Sequence, residues 1–111
     1  LDVKPEDPIV PKTRFSAFMP DPTVFDGMLK ERGIDTLLIT GVSTCTCCES
    51  TARDAMMLNY TTMMITDGCA APNDELHNAT MNQFYLQFGD VQSTDEVIAL
   101  LDRNVGAAAA E

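Results

Sequence analysis

Three of the four cysteines, Cys45, Cys47 and Cys48, lie within four positions, directly after the apolar run Thr36-Leu37-Leu38-Ile39-Thr40-Gly41-Val42. A strand, a tight turn and a helix opening on cysteine form a place for nucleophilic chemistry. The first-turn amides of a helix have no internal partner, and the helix dipole is positive there. A thiolate at that end is stabilised, so more nucleophile exists at neutral pH. The same amides can receive the oxyanion that forms when sulfur attacks a carbonyl. Cys47 takes the first helical position, Cys48 falls on the buried stripe, and Cys45 precedes the cap.

Spacing alone leaves three readings open: a nucleophile, small core residues, or a zinc site drawn from Cys45, Cys47, Cys48 and Cys69. The C-x-C-C spacing suits zinc poorly, because adjacent helical residues point about 100° apart. His77, the one histidine, reads as a partly exposed polar residue in the first turn of its helix. No metal and no cofactor is expected. Adjacent cysteines rarely bridge each other, so reduced thiols and a cytoplasmic location are expected.

The elements that must position these residues follow from periodicity. Five of the six prolines fall in residues 1–22, which predicts extended segments and turns, with a short strand around Asp7-Pro8-Ile9-Val10. Asp21-Pro22 starts a helix, with Asp21 as cap and Pro22 at the first position; Gly33 stops it. The run Thr36–Val42 lacks alternation and predicts a strand covered on both faces, as in a parallel sheet. Thr46-Cys47-Cys48-Glu49 fits a capping box, with Glu49 reaching back. Cys48, Ala52, Ala55, Met56 and Asn59 then trace one helix face, whose small residues allow close approach to a sheet.

Thr61–Thr66 predicts a second buried strand, followed by a loop over 67–74. A helix over 75–88 presents Leu76, Ala79, Thr80, Gln83, Phe84 and Phe88, and Gly89 ends it. Asp90-Val91-Gln92 reads as a short strand. Ser93-Thr94-Asp95-Glu96 is a second capping box, opening a helix to about Arg103. Residues 106–111 read as a flexible tail, leaving one domain over 1–105. Strands alternating with helices predict an α/β fold built on a parallel sheet with flanking helices.

Composition excludes some partners. The 111 residues carry a net charge of −10, from 17 acidic and seven basic residues. No basic stripe exists to meet a phosphate backbone, so no nucleic-acid partner is expected. No apolar run reaches the roughly 18 residues of a membrane helix, so no membrane partner is expected either. Seven methionines, including Met56-Met57 and Met63-Met64, suit a core or an oligomer interface, and a homo-oligomer is expected.

The segment from Gly41 to Ala55, Gly-Val-Ser-Thr-Cys-Thr-Cys-Cys-Glu-Ser-Thr-Ala-Arg-Asp-Ala, resembles the isochorismatase-like signature G-[VI]-x-T-N-x-C-V-x-x-T-A-x-D-A. Lys12-Thr13-Arg14-Phe15-Ser16-Ala17-Phe18 resembles the family's K-x-x-[YF]-S-[AG]-F element. Asp67–Ala71, Asp74–Ala79 and Phe88–Val91 resemble later segments, so the likeness runs from about Asp7 to about Leu101.

The resemblance implies a doubly wound α/β fold and a Cys-Lys-Asp triad. Carried over residue by residue, Cys47 is the nucleophile and Lys12 the lysine. The family's cis non-proline peptide would fall between Val42 and Ser43, aiming the Ser43 amide at the oxyanion beside the Cys47 amide. Asp2 and Asp7 lie too close to Lys12 to supply the triad's Asp. The chain opens on Leu1 and shows two strong strands, so it reads as the later half of such a domain, with the N-terminal strands missing and the segment inactive alone.

Cys45 stands where the family has Asn or Asp, and that removes a polar side chain that braces the turn. Cys48 stands for a Val, a benign exchange. The implied reaction is hydrolysis of an amide-type C–N bond in a small ureido or carbamoyl compound through a thioester, with nicotinamide hydrolysis as the alternative. Phe15, Arg14 and Phe18 are the candidate substrate contacts, with core packing the other reading of Phe18 and a solvated side chain that of Arg14. A non-catalytic interaction module is the reading from another class.

Overall fold

The computed structural model describes residues 1–110. Residues 1–21 carry no helix or strand. The predicted strand at Asp7–Val10 is therefore absent: Asp7 instead closes a turn, accepting the Lys4 amide at 2.9 Å, and residues 1–9 are exposed. Then follow α1 (Pro22–Glu31), β1 (Thr36–Val42), a π-helical turn (Thr44–Cys48) running into α2 (Glu49–Met57), β2 (Thr61–Ala70), α3 (Asp74–Gln87), β3 (Asp90–Gln92) and α4 (Thr94–Ala110).

The three strands form a parallel sheet in chain order, with Ile39, Met64 and Val91 aligned across it. Those three side chains meet Cys48, Ala52, Met81 and Phe84, so α2 and α3 cover one face. Ala52 and Ala55 are fully buried, and without longer side chains α2 sits close to the strands. A second cluster joins Phe18 and Leu29 to Ala55, Tyr60 and Leu37, and it fastens α1 to the same layer. Val97, Leu100 and Leu101 of α4 face Leu38 and Met63 on the opposite side of the sheet.

Caps decide most boundaries. Asp21 accepts the Thr23 amide at 3.0 Å, and Pro22 follows at the first helical position. Gly33 leaves α1 with φ +66°, a conformation that disfavours a side chain. Ser93 and Glu96 close a reciprocal capping box, with amide-to-side-chain distances of 2.7 and 3.3 Å. Asp67 adds a further cap by accepting both the amide and the hydroxyl of Thr94 at 2.8 Å.

Four sequence expectations are corrected. β1 is an edge strand, and Leu38 at 43% and Val42 at 73% exposure leave its face toward α4 only partly covered. β2 continues past Thr66 to Ala70, because a register shift opposite Ile39–Gly41 lets the strand absorb Gly68 and resume pairing at Cys69. The buried face of α3 carries His77, Thr80, Met81 and Phe84, while Leu76 is exposed. α4 runs through Gly106 to Ala110: alanine has the lowest helical cost, and one interior glycine adds only about 1 kcal/mol. Of the predicted tail, residues 106–110 are thus helical, and Glu111 lies outside the described residues.

Candidate functional site

β1 ends at Val42, and the Val42–Ser43 peptide bond is cis. The chain then enters the π-helical turn Thr44–Cys48. The Ser43 carbonyl accepts the amides of Thr46 and Cys48 at 3.1 and 3.2 Å. Single π turns of this kind are frequent at functional sites. The capping box predicted at Thr46–Glu49 does not form. Ser43 is the cap residue and makes no side-chain capping bond. Glu49 is drawn away: Arg53 Nε donates to its Oε1 at 3.0 Å, and Thr80 donates to its Oε2 at 3.2 Å. Cys47 is therefore the fourth residue of the π-helical turn rather than the first of the α-helix.

Cys47 is partly exposed and opens on a cleft of about 280 Å³ at the C-terminal end of β1. Lys12, Ala17, Gly41, Val42 and Thr51 line the same cleft. Lys12 Nζ donates to the carbonyls of Arg14 and Phe15 at 2.8 and 3.1 Å, which curls the loop around the ammonium group. Ala17 donates its amide to Thr51 Oγ1 at 3.0 Å and pins that loop to α2. Among the described residues no carboxylate lines this cleft. Asp2 and Asp7 are exposed and lie elsewhere.

The four thiols divide by environment. Cys48 is buried; donating to Cys69 and losing water push it far above the ordinary thiol range, against the pull of the Lys12 ammonium. Cys69 is held below that range, first by this hydrogen bond. Cys45 is also held low, by hydrogen bonds from Ser43 at 3.5 Å and Thr46 at 3.8 Å, but it does not line the cleft. Among the described residues no three His, Cys, Asp or Glu side chains converge on a metal position.

The structure brings Lys12, Val42 and Cys47 to one cleft, with Ser43 joining Val42 to the turn. Arg14 and Phe15 line an adjoining hollow with Lys12, where Arg14 donates to the Thr13 carbonyl and Phe15 is exposed. Phe18 is a correction. It is fully buried, its ring 4.8 Å from that of Phe25 and 6.1 Å from that of Tyr60, and core packing removes it from the cleft. Sequence reasoning missed Thr51, although it lies in the signature itself, one helical turn beyond Cys47. It also missed the partners of His77, whose Nδ1 is hydrogen-bonded to Thr44 Oγ1 at 2.9 Å and whose Nε2 lies 3.5 Å from Thr66 Oγ1.

Fold and site together define an α/β protein with a thiol at the strand-to-helix turn and a lysine lining the same cleft. The isochorismatase domain matches residues 1–96, and the chain belongs to that family. It is 35% identical over 105 residues to the ureidoacrylate amidohydrolase RutB of Acinetobacter baylyi, covering 94% of this chain and 42% of that protein. It is 36% identical over 98 residues to the uncharacterised isochorismatase family protein YwoC of Bacillus subtilis, covering 88% and 51%. An isochorismatase-like hydrolase from Alkaliphilus metalliredigens superposes with a TM-score of 0.84 at 36% identity, over 91% of this chain and 55% of that one. The nicotinamidase SaPncA of Staphylococcus aureus gives 0.68 at 31% identity, over 74% and 50%. The chain thus spans about half the length of these relatives. Among the described residues no helix is long and apolar enough to cross a membrane.

Proposed function

We propose that this chain carries the nucleophile and the lysine of a cysteine hydrolase that cleaves an amide-type C–N bond in a small ureido or carbamoyl compound. The observation that carries the reading is that Cys47 and Lys12 line one cleft at the strand-to-helix turn. The Cys47 sulfur attacks the carbonyl carbon and forms a C–S bond, while the Ser43 and Cys47 amides receive the oxyanion. Collapse breaks the C–N bond, and nitrogen leaves with a proton as ammonia or an amine. Water then releases the thioester as an acid and restores the thiol.

The ureido substrate class is favoured by the likeness to ureidoacrylate amidohydrolases over nearly the whole chain. Nicotinamide is the second candidate, supported by the nicotinamidase fold over 74% of the chain. The test is ammonia release from ureidoacrylate and from nicotinamide, with intact-mass detection of an acyl adduct. Ureidoacrylate is expected to acylate faster, and Cys47→Ala to remove both adduct and ammonia. Ammonia release that survives Cys47→Ala ends the covalent reading. No adduct with either compound, together with Cys47 alkylation no faster than that of an unstructured cysteine peptide, favours a non-catalytic module.

A further inference from the structure

We propose that His77 is a positioning residue for the Cys47 turn, acting through the Thr44 hydroxyl; the inference rests on the hydrolase reading above. Thr44 opens the π-helical turn and is fully buried. His77 projects from α3, and its ring spans the gap between this turn and β2, with Thr44 Oγ1 at 2.9 Å and Thr66 Oγ1 at 3.5 Å. A neutral imidazole offers one donor and one acceptor, and each hydroxyl serves either role, so both ring nitrogens are satisfied.

The turn has few other braces. Its cap residue, Ser43, makes no capping bond. Glu49 is committed to Arg53 and Thr80. Cys45, at the position where the resemblance leads one to look for Asn or Asp, makes side-chain hydrogen bonds only with Ser43 and Thr46 among the described residues. Apart from the sulfur contact of Cys48 with Cys69, the Thr44–His77 bond is the one side-chain hydrogen bond among the described residues that ties residues 43–48 to another element. The bracing that a polar residue 45 would supply from within the turn comes here from α3. Misplacing a reacting group by about 1 Å costs rate steeply, so a slack turn is expected to show at the Cys47 sulfur.

The test is the rate of iodoacetamide alkylation at Cys47, resolved by peptide mass spectrometry on the whole folded chain. The variants are His77→Ala, His77→Gln, Thr44→Val and the His77→Ala/Thr44→Val double, each checked for folding by circular dichroism. Each single loss is expected to slow Cys47 about tenfold, the double no further, and His77→Gln to recover most of the rate. Thr44→Val keeps the test open if His77→Ala does not fold. Wild-type rates in His77→Ala or Thr44→Val, or additive losses in the double, overturn the proposal. A wild-type Cys47 no faster than an unstructured cysteine peptide defeats the hydrolase reading instead, whatever the variants do.

Discussion

The Ala17 amide donates to Thr51 Oγ1 at 3.0 Å, joining two residues 34 positions apart. One belongs to the loop that holds Lys12, the other to the helix that follows Cys47. This bond ties the two walls of the cleft that Lys12 and Cys47 line. Thr51→Val keeps the side-chain shape and strands the Ala17 amide. We expect a loss of about 1–3 kcal/mol in chemical denaturation, together with slower alkylation of Cys47. Unchanged stability and unchanged alkylation would show that the loop is held by other contacts.

Tyr60 donates to Asp26 Oδ1 at 2.6 Å beneath α1. Burial first, and then the hydrogen bond to Asp26 and its charge, push the Tyr60 phenol up to about 12. The folded protein therefore holds this proton above the pH at which the unfolded chain, near 10, releases it. The resulting stability is complete below pH 10 and is lost as the pH climbs through 12, by about 2–3 kcal/mol in total. Melting temperature should fall more steeply between pH 10 and 12 in the wild type than in Tyr60→Phe. Parallel curves would remove Tyr60 as the source.

Gly89 sits where α3 turns back into β3. A Cβ there would overlap the carbonyl of Thr62 and stand 2.9 Å from the Phe84 ring. Backbone cannot yield as a flexible side chain can, so Gly89→Ala should cost about 1–3 kcal/mol by overpacking. A melt within a degree of the wild type would mean that β3 shifts freely.

Much of this arrangement is legible in the sequence, for local reasons. Asp21-Pro22, Ser93–Glu96 and Gly33 act within one turn of chain, and their chemistry decides helix ends almost alone. The Cys47 turn is legible as a site through the family resemblance. Where expectation failed, a side-chain partner that the local pattern does not name decided. Glu49 fits a capping box by spacing, but Arg53 and Thr80 hold it. Leu76 is the apolar choice for the face of α3, yet the Thr44 hydroxyl brings in His77. Phe18 lies in a motif with Lys12, while Phe25 and Tyr60 enclose it. β1 is as apolar as β2, and nothing local says which of the two borders the sheet.

Among the described residues no carboxylate lines the Cys47 cleft, so none is at hand to carry the proton that must move during acylation. General acid–base catalysis contributes roughly 10²–10⁴ in rate. Turnover of ureidoacrylate by these 111 residues alone should fall short of that of a full-length ureidoacrylate amidohydrolase by at least about a hundredfold, while Cys47 still reacts with iodoacetamide. Matching turnover would show that no acid at the cleft is required.

The most direct test of the account is the alkylation rate of Cys47 in wild type, Lys12→Met and Lys12→Arg, read by peptide mass spectrometry at neutral pH. If the ammonium group acts on the sulfur across the cleft that both line, Lys12→Met should slow Cys47 about tenfold, a change of about 1.4 kcal/mol, and Lys12→Arg should keep most of the rate. Equal rates in all three proteins would contradict the pairing of Lys12 with Cys47, and with it the proposed chemistry.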